Sequence, residues 1–322
     1  MLTRRTTLGA LLSSGAAVAG ATAAGTSSAT AAPGRRPGRG PGRQGRPLVG
    51  PARGADIHVM TFNIRFDRGT ATSPGQADHW GDRAPLVTRL LATERPTLLG
   101  IQEATYGQLD EVERGVGRTH RMLGFGREGG SGGEYSAILY DAERFTALEW
   151  DQYWLSDTPD VIGSATWGNT VTRIVTWARL ADRRTGHELV HLNTHLDHQS
   201  ENARVRSAEV LRAQVAGLDV PAVVTGDFNA PAGSSAPYDV LTGNGTTADT
   251  WTTARRRLTP AWGTFPNYAP AVEGERRIDW VLATDGVRVE RAAINTTTYD
   301  TRVGEDRWPS DHTPVQAVVR LV

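Results

Sequence analysis

Residues 222–229 read AVVTGDFN, an apolar run that stops at an aspartate and an asparagine, Asp227 and Asn229. A short run rich in β-branched residues predicts a buried strand over 222–227. Polar residues directly after a strand usually form a turn, and that interpretation applies here when the segment is taken alone. The same arrangement recurs along the chain, however, and the recurrence suggests that these polar residues belong to one shared site.

Five further apolar runs begin or end at amide, carboxylate or imidazole side chains. They are 60–63 (MTFN), 99–103 (LGIQE), 191–198 (HLNTHLDH), 277–282 (RIDWVL) and 310–316 (SDHTPVQ). The ends of strands in a sheet sandwich can meet at one edge. We therefore predict one site rich in carboxylates, amides and imidazoles. The chain has no cysteine, so this site contains no thiolate, and a disulfide scaffold is excluded.

The remaining pattern predicts more strands than helices. Alternating or short apolar runs predict strands, and apolar residues at helical spacing predict helices. The strands cover 57–64, 97–102, 136–140, 148–155, 173–180, 188–195, 222–227, 278–284, 287–295 and 315–321, and the helices cover 84–94, 106–115 and 201–217. Helices do not alternate with strands throughout. This favours an α/β protein with two packed sheets and outer helices over a doubly wound sheet.

The N-terminal region differs from the rest of the chain. Residues 1–32 contain a twin arginine, Arg4-Arg5, before a modest apolar stretch and small-residue cleavage sites, which predicts a twin-arginine-type export signal. Residues 33–53 are rich in Pro, Gly and Arg and predict a flexible linker. Residues 54–322 show no internal repeat and no further linker, so we expect a single domain there and a protein secreted from the cell.

Charge is distributed unevenly, although 35 basic and 35 acidic residues balance over the whole chain. Every basic residue is arginine, and eight arginines with no acid lie in residues 1–53. Residues 54–322 therefore carry 27 arginines and 35 acids, a net charge of −8. Such a body attracts duplex nucleic acid only weakly. A divalent cation or a small substrate fits it better, and an oxygen-rich site without thiols suits Mg²⁺ or Mn²⁺.

The order of these motifs resembles the endonuclease/exonuclease/phosphatase family. The residues that carry the resemblance run from Asn63 to His312 in family order: Asn63, Gln102-Glu103, Asn193-Thr194-His195, Gly226-Asp227-Phe228-Asn229, Ile278-Asp279 and Ser310-Asp311-His312. Each motif alone is weak, but the set in this order is specific. The resemblance implies a four-layer sandwich of two central, mostly antiparallel β-sheets flanked by helices. It also implies metal-dependent hydrolysis of phosphate esters.

The resemblance assigns a role to each motif residue. Glu103 is the main Mg²⁺ (or Mn²⁺) ligand, with Asn63 and Asp311 on the metal side. Asp227 aligns and deprotonates the attacking water, and His195 and Asn229 contact the phosphate. His312, oriented by Asp279, either stabilises the developing charge or polarises the water. Three further residues are candidates for substrate binding: Arg127, Arg173 and His198.

Substrate identity stays open at this stage. We expect a phosphomonoesterase or phosphodiesterase acting on a small ester, with an extracellular nuclease (DNase or RNase) as the main alternative. A sphingomyelinase-like phospholipase C and a non-catalytic binding module on the same fold are more remote alternatives. We also expect a monomer without stable membrane insertion.

Overall fold

The computed structural model describes residues 45–300 and 306–322. The predicted export signal and residues 33–44 of the predicted linker lie outside these described residues. Within them, no helix combines the length and apolar character needed to cross a membrane.

Fifteen strands and five α-helices are present in the described part of the chain. The strands are β1 (Ile57–Asn63), β2 (Leu98–Gln102), β3 (His120–Leu123), β4 (Ile138–Asp141), β5 (Phe145–Trp154), β6 (Ile174–Asp182), β7 (Glu188–His195), β8 (Ala222–Asp227), β9 (Ala248–Asp249), β10 (Arg256–Arg257), β11 (Asp279–Ala283), β12 (Val287–Ile294), β13 (Tyr299–Asp300), β14 (Asp306–Arg307) and β15 (Val315–Leu321). The α-helices are α1 (Trp80–Glu94), α2 (Leu109–Val116), α3 (Glu201–Ala216), α4 (Ala236–Thr242) and α5 (Thr250–Thr253), and short 3₁₀ turns cover Gly69–Ala71 and Tyr106–Gln108.

Two large sheets form the centre of the molecule. The first has the strand order β10-β12-β15-β1-β2-β4-β3, and the second has the order β5-β6-β7-β8-β11-β9. Most neighbouring strands are antiparallel; β1–β2, β7–β8 and β10–β12 are parallel. Three apolar clusters separate the layers: one between the sheets, one between the first sheet and α1–α2, and one between the second sheet and α3–α4. This is the predicted four-layer sandwich, and the fold prediction is confirmed.

Strand β1 shows how the sequence produces this arrangement. Its side chains alternate between the two faces of the sheet, because successive residues of a strand point in opposite directions. Ile57 and Val59 pack against the second sheet, and Met60 and Phe62 pack against α1 and α2. All seven residues of β1 are buried. Its four apolar residues supply both faces with core contacts, and His58, Thr61 and Asn63 are buried polar residues among them.

A buried amide joins the two sheets below the polar edge. Asn193 of β7 donates from Nδ2 to the carbonyl oxygens of Ile101 at 2.9 Å and Ala137 at 3.0 Å, which belong to the first-sheet side. Its Oδ1 accepts hydrogen bonds from Gln102 Nε2 at 2.7 Å and Thr225 Oγ1 at 2.9 Å. Since each polar atom of the amide has partners, this burial carries no unpaired-group penalty.

Gly100 makes this close approach of the sheets possible. A Cβ atom at this position would lie 2.3 Å from Asn193 Oδ1 and 2.2 Å from Thr225 Oγ1. Any larger residue would therefore push the sheets apart at the amide.

Helix α1 begins at Trp80, earlier than the predicted start at Ala84. Its first turns contain Gly81 and Pro85, which are poor helix formers, so the apolar spacing did not predict that the helix begins before Ala84.

Strand β3 was not predicted from the sequence. It is a four-residue edge strand whose side chains are partly buried or exposed. Short elements of this kind produce little periodic signal.

Residues 48–50 lie inside the segment predicted as a flexible linker, yet they are bound to the domain. The backbone N–H groups of Leu48, Val49 and Gly50 donate to the carboxylate of Glu94 at 2.7–3.1 Å. Asn295 Nδ2 donates to the same carboxylate at 3.0 Å, and Glu94 is only 2% exposed. The prediction of a flexible linker therefore does not hold for these three residues.

Two histidines buried away from the polar edge make stability depend on pH. Burial lowers the pKa of His58 and of His191 to about 3. In the unfolded chain each has the ordinary pKa of about 6.5. Below that value the unfolded state binds protons that the folded state does not, so stability is full above pH 6.5 and falls as the pH is lowered toward 3.

Replacing His191 by Gln should remove part of this acid sensitivity. We expect the free energy of unfolding of His191→Gln to fall less steeply between pH 6 and pH 4, by about 1.4 kcal/mol per pH unit. Urea unfolding at a series of pH values measures the slope. The exposed His187→Gln variant is the control, and equal slopes for His191→Gln and the wild type would contradict the assignment.

Candidate active site

Strand register brings the predicted polar residues to one edge of the sandwich. In the first sheet Asn63 of β1 is paired with Gln102 of β2, so Glu103 follows at the same edge. In the second sheet Asp227 of β8 is paired with both His195 of β7 and Asp279 of β11. The carboxyl ends of β1, β2, β7 and β8 therefore meet the start of β11. The loop before β15 adds Asp311 and His312.

Asp227 lies at the centre of this cluster and is 1% exposed. Its Oδ2 accepts a hydrogen bond from Asn63 Nδ2 at 3.0 Å. The same oxygen lies 3.4 Å from His195 Nε2 and 3.7 Å from His312 Nε2. Burial, together with the negative charge of Asp279, raises the pKa of Asp227 to about 7. A carboxylate with such a pKa can accept a proton near neutral pH.

His312 and Asp279 form a buried pair. His312 Nδ1 lies 2.9 Å from Asp279 Oδ2 and 3.2 Å from Oδ1. Burial alone would lower the pKa of His312, but the charges of Asp279 and Asp227 outweigh it and raise this pKa well above its usual value. The imidazolium is therefore favoured, with Nδ1–H donating to Asp279 and Nε2–H facing the cavity.

His195 has the opposite electrostatic environment. Burial and the positive charges of Arg173 and Arg127 lower its pKa well below the usual value, so the ring is neutral. Asn229 Nδ2 lies 2.9 Å from His195 Nε2 and donates to the carbonyl of Leu196 at 3.0 Å. The two imidazoles at this edge thus carry different charges, which suits them to different tasks.

Glu103 occupies a strained position at the end of β2. Its φ is +64°, a left-handed conformation that costs a residue with a side chain about 1–2 kcal/mol. The conformation is supported by hydrogen bonds: Oε1 accepts from Asn63 Nδ2 at 2.9 Å, and Oε2 accepts from the backbone N–H of Phe66 at 3.2 Å. In this conformation the Glu103 side chain lines the cavity.

The donor set fits a divalent cation that prefers oxygen ligands. One atom each from Glu103, His195 and Asp227 lie within 4.8 Å of one another, and Asp227, Asp279 and His312 form a second such group. Carboxylates with amide neighbours and without thiols match Mg²⁺ or Mn²⁺. Asp311 is at the same edge but belongs to neither group.

Arg65 lies between Glu103 and Asp311 and was not predicted from the sequence. Its Nη1 is 3.5 Å from Glu103 Oε2, and its Nε is 3.6 Å from Asp311 Oδ2. A single arginine after a strand gives no distinctive sequence signal, which explains the omission. Its charge offsets the repulsion between the two carboxylates.

The predicted substrate-binding residues lie along one wall of the cavity. Arg127 donates through both Nη atoms to Glu134, at 2.8 and 3.0 Å, so its guanidinium is already engaged by a carboxylate. Arg173 Nη2 lies 3.0 Å from Nδ1 of His198. Glu134 was not predicted as a site residue; only its spatial pairing with Arg127 reveals it.

These groups enclose a cavity of about 420 Å³. Apart from Asn63 and Asp279, the polar site residues named above line it, together with four apolar residues: Phe66, Val171, Phe265 and Ile278. Phe265 is 48% exposed, and the centre of its ring is 4.8 Å from that of His312. A cavity of this volume matches a ligand of small-molecule size.

A buried arginine holds the loops that carry the site. Arg83 of α1 is 1% exposed, and its Nη1 donates to the carbonyls of Ile64 at 2.8 Å and Pro309 at 3.2 Å. Its Nη2 donates to the carbonyl of Arg65 at 3.2 Å. The loop after β1 and the loop before His312 therefore share one cationic anchor.

The fold and the cavity together define an α/β sandwich protein with a candidate metal-assisted hydrolytic centre. The model of the Endonuclease/Exonuclease/phosphatase family matches residues 60–312. The chain belongs to this family, whose members are phosphoesterases and nucleases.

Solved structures agree with this assignment. A family protein from Bacteroides thetaiotaomicron is 31% identical with a TM-score of 0.77, and the match covers 84% of this chain and 96% of that one. A mannosyl-6-phosphatase from Bacteroides thetaiotaomicron is 32% identical with a TM-score of 0.76, covering 83% and 99%. A family protein from Bacteroides vulgatus is 30% identical with a TM-score of 0.74, covering 83% and 99%. No curated protein matches the chain.

Removing the Arg83 anchor should destabilise the protein. We expect Arg83→Met to lower the free energy of unfolding by about 3 kcal/mol, because it leaves buried carbonyls without a donor. Urea unfolding measures this change. Arg114→Met is the matched control: its ion pair with Glu111 is on the surface, where a pair contributes at most about 1 kcal/mol. Equal losses for the two variants would refute the anchoring role.

Proposed function

We propose that the protein is a secreted, Mg²⁺-dependent phosphoesterase that hydrolyses a small phosphate ester by in-line attack of water. One observation carries the proposal: a single cavity contains a carboxylate with a pKa near 7, a buried imidazolium and a strained glutamate. Asp227, His312 and Glu103 supply these three groups. A proton acceptor, a positive charge and a cation ligand are the groups that phosphate-ester hydrolysis requires.

In this proposal Glu103 would be the main metal ligand, with Asn63 beside it; it is the one of the proposed ligands that belongs to a group of close donor atoms. Asp311, across the Arg65 guanidinium from Glu103, would be a further carboxylate on the metal side. When bound, Mg²⁺ or Mn²⁺ would neutralise negative charge on the phosphoryl oxygens and so favour attack by a nucleophile.

Asp227 accepts the proton of the attacking water. Its Oδ2 faces the cavity between the two histidines, and its backbone neighbour Asn229 donates from N–H to Oδ1 at 2.9 Å. Each carboxylate oxygen therefore accepts one hydrogen bond, Oδ1 from Asn229 and Oδ2 from Asn63, and we assign the proton to Oδ2 because it is the oxygen that lies between the two histidines. The water oxygen forms a new bond to phosphorus while the bond to the ester oxygen breaks; the departing ester oxygen keeps the electron pair of that bond and takes up a proton from solvent, and Asp227 later releases its proton to solvent. The products are an alcohol and a phosphate that has gained the water oxygen, and no covalent enzyme intermediate forms.

His312 stabilises the charge that develops on the phosphoryl oxygens. As an imidazolium it donates from Nε2–H, and Asp279 keeps the ring oriented through Nδ1. His195, which is neutral, donates to a non-bridging oxygen from Nδ1–H, because its Nε2 accepts from Asn229 Nδ2. Asn229 therefore supports the phosphate contact by orienting the ring. Fixed donors in a buried cavity stabilise such charge without reorganisation during the reaction.

The size and charge of the site favour a small substrate over a polymer. The cavity is of small-molecule size, and residues 54–322 have a net charge of −8. The chain is also similar to a mannosyl-6-phosphatase, and the name of that protein supports a small phosphate ester as the substrate. A nuclease, a sphingomyelinase-like phospholipase and a non-catalytic binding module are the alternatives that the assay below separates.

Hydrolysis and its metal dependence can be measured together. With Mg²⁺, the purified protein should hydrolyse p-nitrophenyl phosphate or bis-p-nitrophenyl phosphate and leave plasmid DNA and sphingomyelin intact. EDTA should abolish turnover, and Mg²⁺ or Mn²⁺ should restore it. Activity that survives exhaustive chelation would reject the mechanism, plasmid cleavage would identify a nuclease, and no turnover of any ester would favour a binding module.

Asp227→Asn is the control for contaminating activity. It keeps the shape of the side chain but removes the proton acceptor, so we expect kcat to fall about 10²- to 10⁴-fold. Thermal unfolding of the variant shows whether the fold is retained. A mild loss of kcat in a folded variant would mean that the proton acceptor is another group.

Export is proposed on the N-terminal sequence alone. The twin arginine, the apolar stretch and the small-residue cleavage sites of residues 1–32 support a secreted protein. We expect the full chain to appear outside the cell in a host with a twin-arginine pathway, and Arg4→Lys/Arg5→Lys to remain inside. Immunoblots of culture medium and cells measure this. Equal export of both forms would argue against the twin-arginine route.

A further inference from the structure

Arg173 has the features of a ligand-binding arginine. It precedes β6, lines the cavity and is 4% exposed. Its Nε and Nη1 have no hydrogen-bond partner within the residues that the structure describes. A buried donor without a partner costs about 1–3 kcal/mol, and more when it is charged. A ligand that pairs with these atoms would recover that cost.

Another buried arginine, Arg144, gives a comparison away from the cavity. Arg144 is 1% exposed and donates to both carboxylate oxygens of Asp182, at 3.3 and 2.8 Å. It also donates to the backbone carbonyls of Asp56 and Ala55. Arg144 is therefore fully paired away from the cavity, whereas Arg173 keeps free donors beside it.

The carboxylates near Arg173 do not satisfy it. Asp197 Oδ2 is 3.6 Å from Nε, beyond hydrogen-bond distance. Glu134 is held by both Nη atoms of Arg127. Nδ1 of His198 accepts from Nη2 and fixes the orientation of the guanidinium, and an imidazole has no negative charge to cancel that of the arginine. Asp197 Oδ2, which has no hydrogen-bond partner of its own in the described residues, forms a buried ion pair with Nε. Nη1 is therefore the donor of Arg173 that is left for a ligand.

The position of this charge distinguishes two kinds of phosphate ester. Arg173 lines the same cavity as His195 and Asp227, so it adds a cation to the end of the cavity that holds the phosphate. A phosphomonoester carries a charge of about −1.5 to −2 at neutral pH and presents three terminal oxygens. A phosphodiester carries a single charge, and its second ester oxygen is a poorer acceptor for a guanidinium.

We propose that Arg173, oriented by His198, binds the third terminal oxygen, which a phosphomonoester has and a phosphodiester lacks, and so makes this enzyme a phosphomonoesterase. This inference rests on the proposed function and narrows its substrate class. Arg65 and Arg127, the other two arginines that line the cavity, are already held by carboxylates. Arg173 is therefore the residue that sets the preference between monoesters and diesters.

The ratio of two activities tests this assignment. With Mg²⁺, kcat/KM of the full-length protein for p-nitrophenyl phosphate should exceed that for bis-p-nitrophenyl phosphate. In Arg173→Met we expect the monoester value to fall roughly 10- to 100-fold, the size of a lost charged hydrogen bond, and the diester value to change less than about threefold. Arg173→Lys should restore part of the loss. Because the ratio is measured on one sample, an unfolded fraction cancels.

The matched control is Arg179→Met. Arg179 lies on β6, but it pairs with Glu188 and Asp219 at the surface, so both activities should be unchanged. Equal losses of monoester and diester activity in Arg173→Met would show a structural role and overturn the proposal. A wild type that prefers the diester would also overturn it.

A measurement on the wild type alone guards against a variant that does not fold. Inorganic phosphate should inhibit turnover at concentrations at least roughly tenfold lower than dimethyl phosphate, because only phosphate offers the additional charge to a cationic donor. Equal inhibition by the two anions would overturn the monoester assignment. A protein that hydrolyses no phosphate ester with Mg²⁺, or whose activity survives in Asp227→Asn, would instead reject the proposed function itself.

Discussion

The side-chain amide of Asn193 is the contact on which the rest of the structure depends. It ties β7 to carbonyl groups on the side of the first sheet and accepts hydrogen bonds from both sheets. Most of the space between the sheets is filled by apolar side chains, which attract without direction. A fully paired amide is directional, so it determines how far apart the sheets lie and how they are aligned. Gly100 provides the room for it.

That alignment matters because the site is divided between the sheets. Glu103 and Asn63 belong to the first sheet, and His195, Asp227 and Asp279 belong to the second. Asn63 Nδ2 reaches carboxylates from both halves, Glu103 at 2.9 Å and Asp227 at 3.0 Å. A small slip between the sheets would lengthen both contacts. The charges then complete the arrangement: buried carboxylates that repel one another share one imidazolium, while cationic neighbours keep the second imidazole neutral.

The sequence predicted those features that depend on short continuous segments, namely the buried strands and the polar residues at their ends. Buried strands ending in Asn63, Glu103, His195 and Asp227 gave both the two-sheet fold and the convergence of their ends, because strand register is regular. Ion pairs between side chains leave no periodic pattern in the sequence, so they could not be predicted. Arg65 and Glu134 became visible as site residues only in three dimensions, and Arg127, expected to meet substrate, is held by a carboxylate. Short elements such as β3 and α4 were missed since they span too few residues to show a period.

The Glu94 carboxylate binds the first residues of the folded domain. Three backbone N–H groups of residues 48–50 and the amide of Asn295 surround it. Composition would place the domain boundary at residue 54, yet a chain trimmed there would leave the Glu94 carboxylate with one of its four hydrogen-bond donors, Asn295. Proteolysis beyond Gly50 would therefore do more than shorten a tail: it would loosen the end of α1 and the residues after β12. A glutamate far along the chain thus sets where the folded domain begins, at or before residue 48.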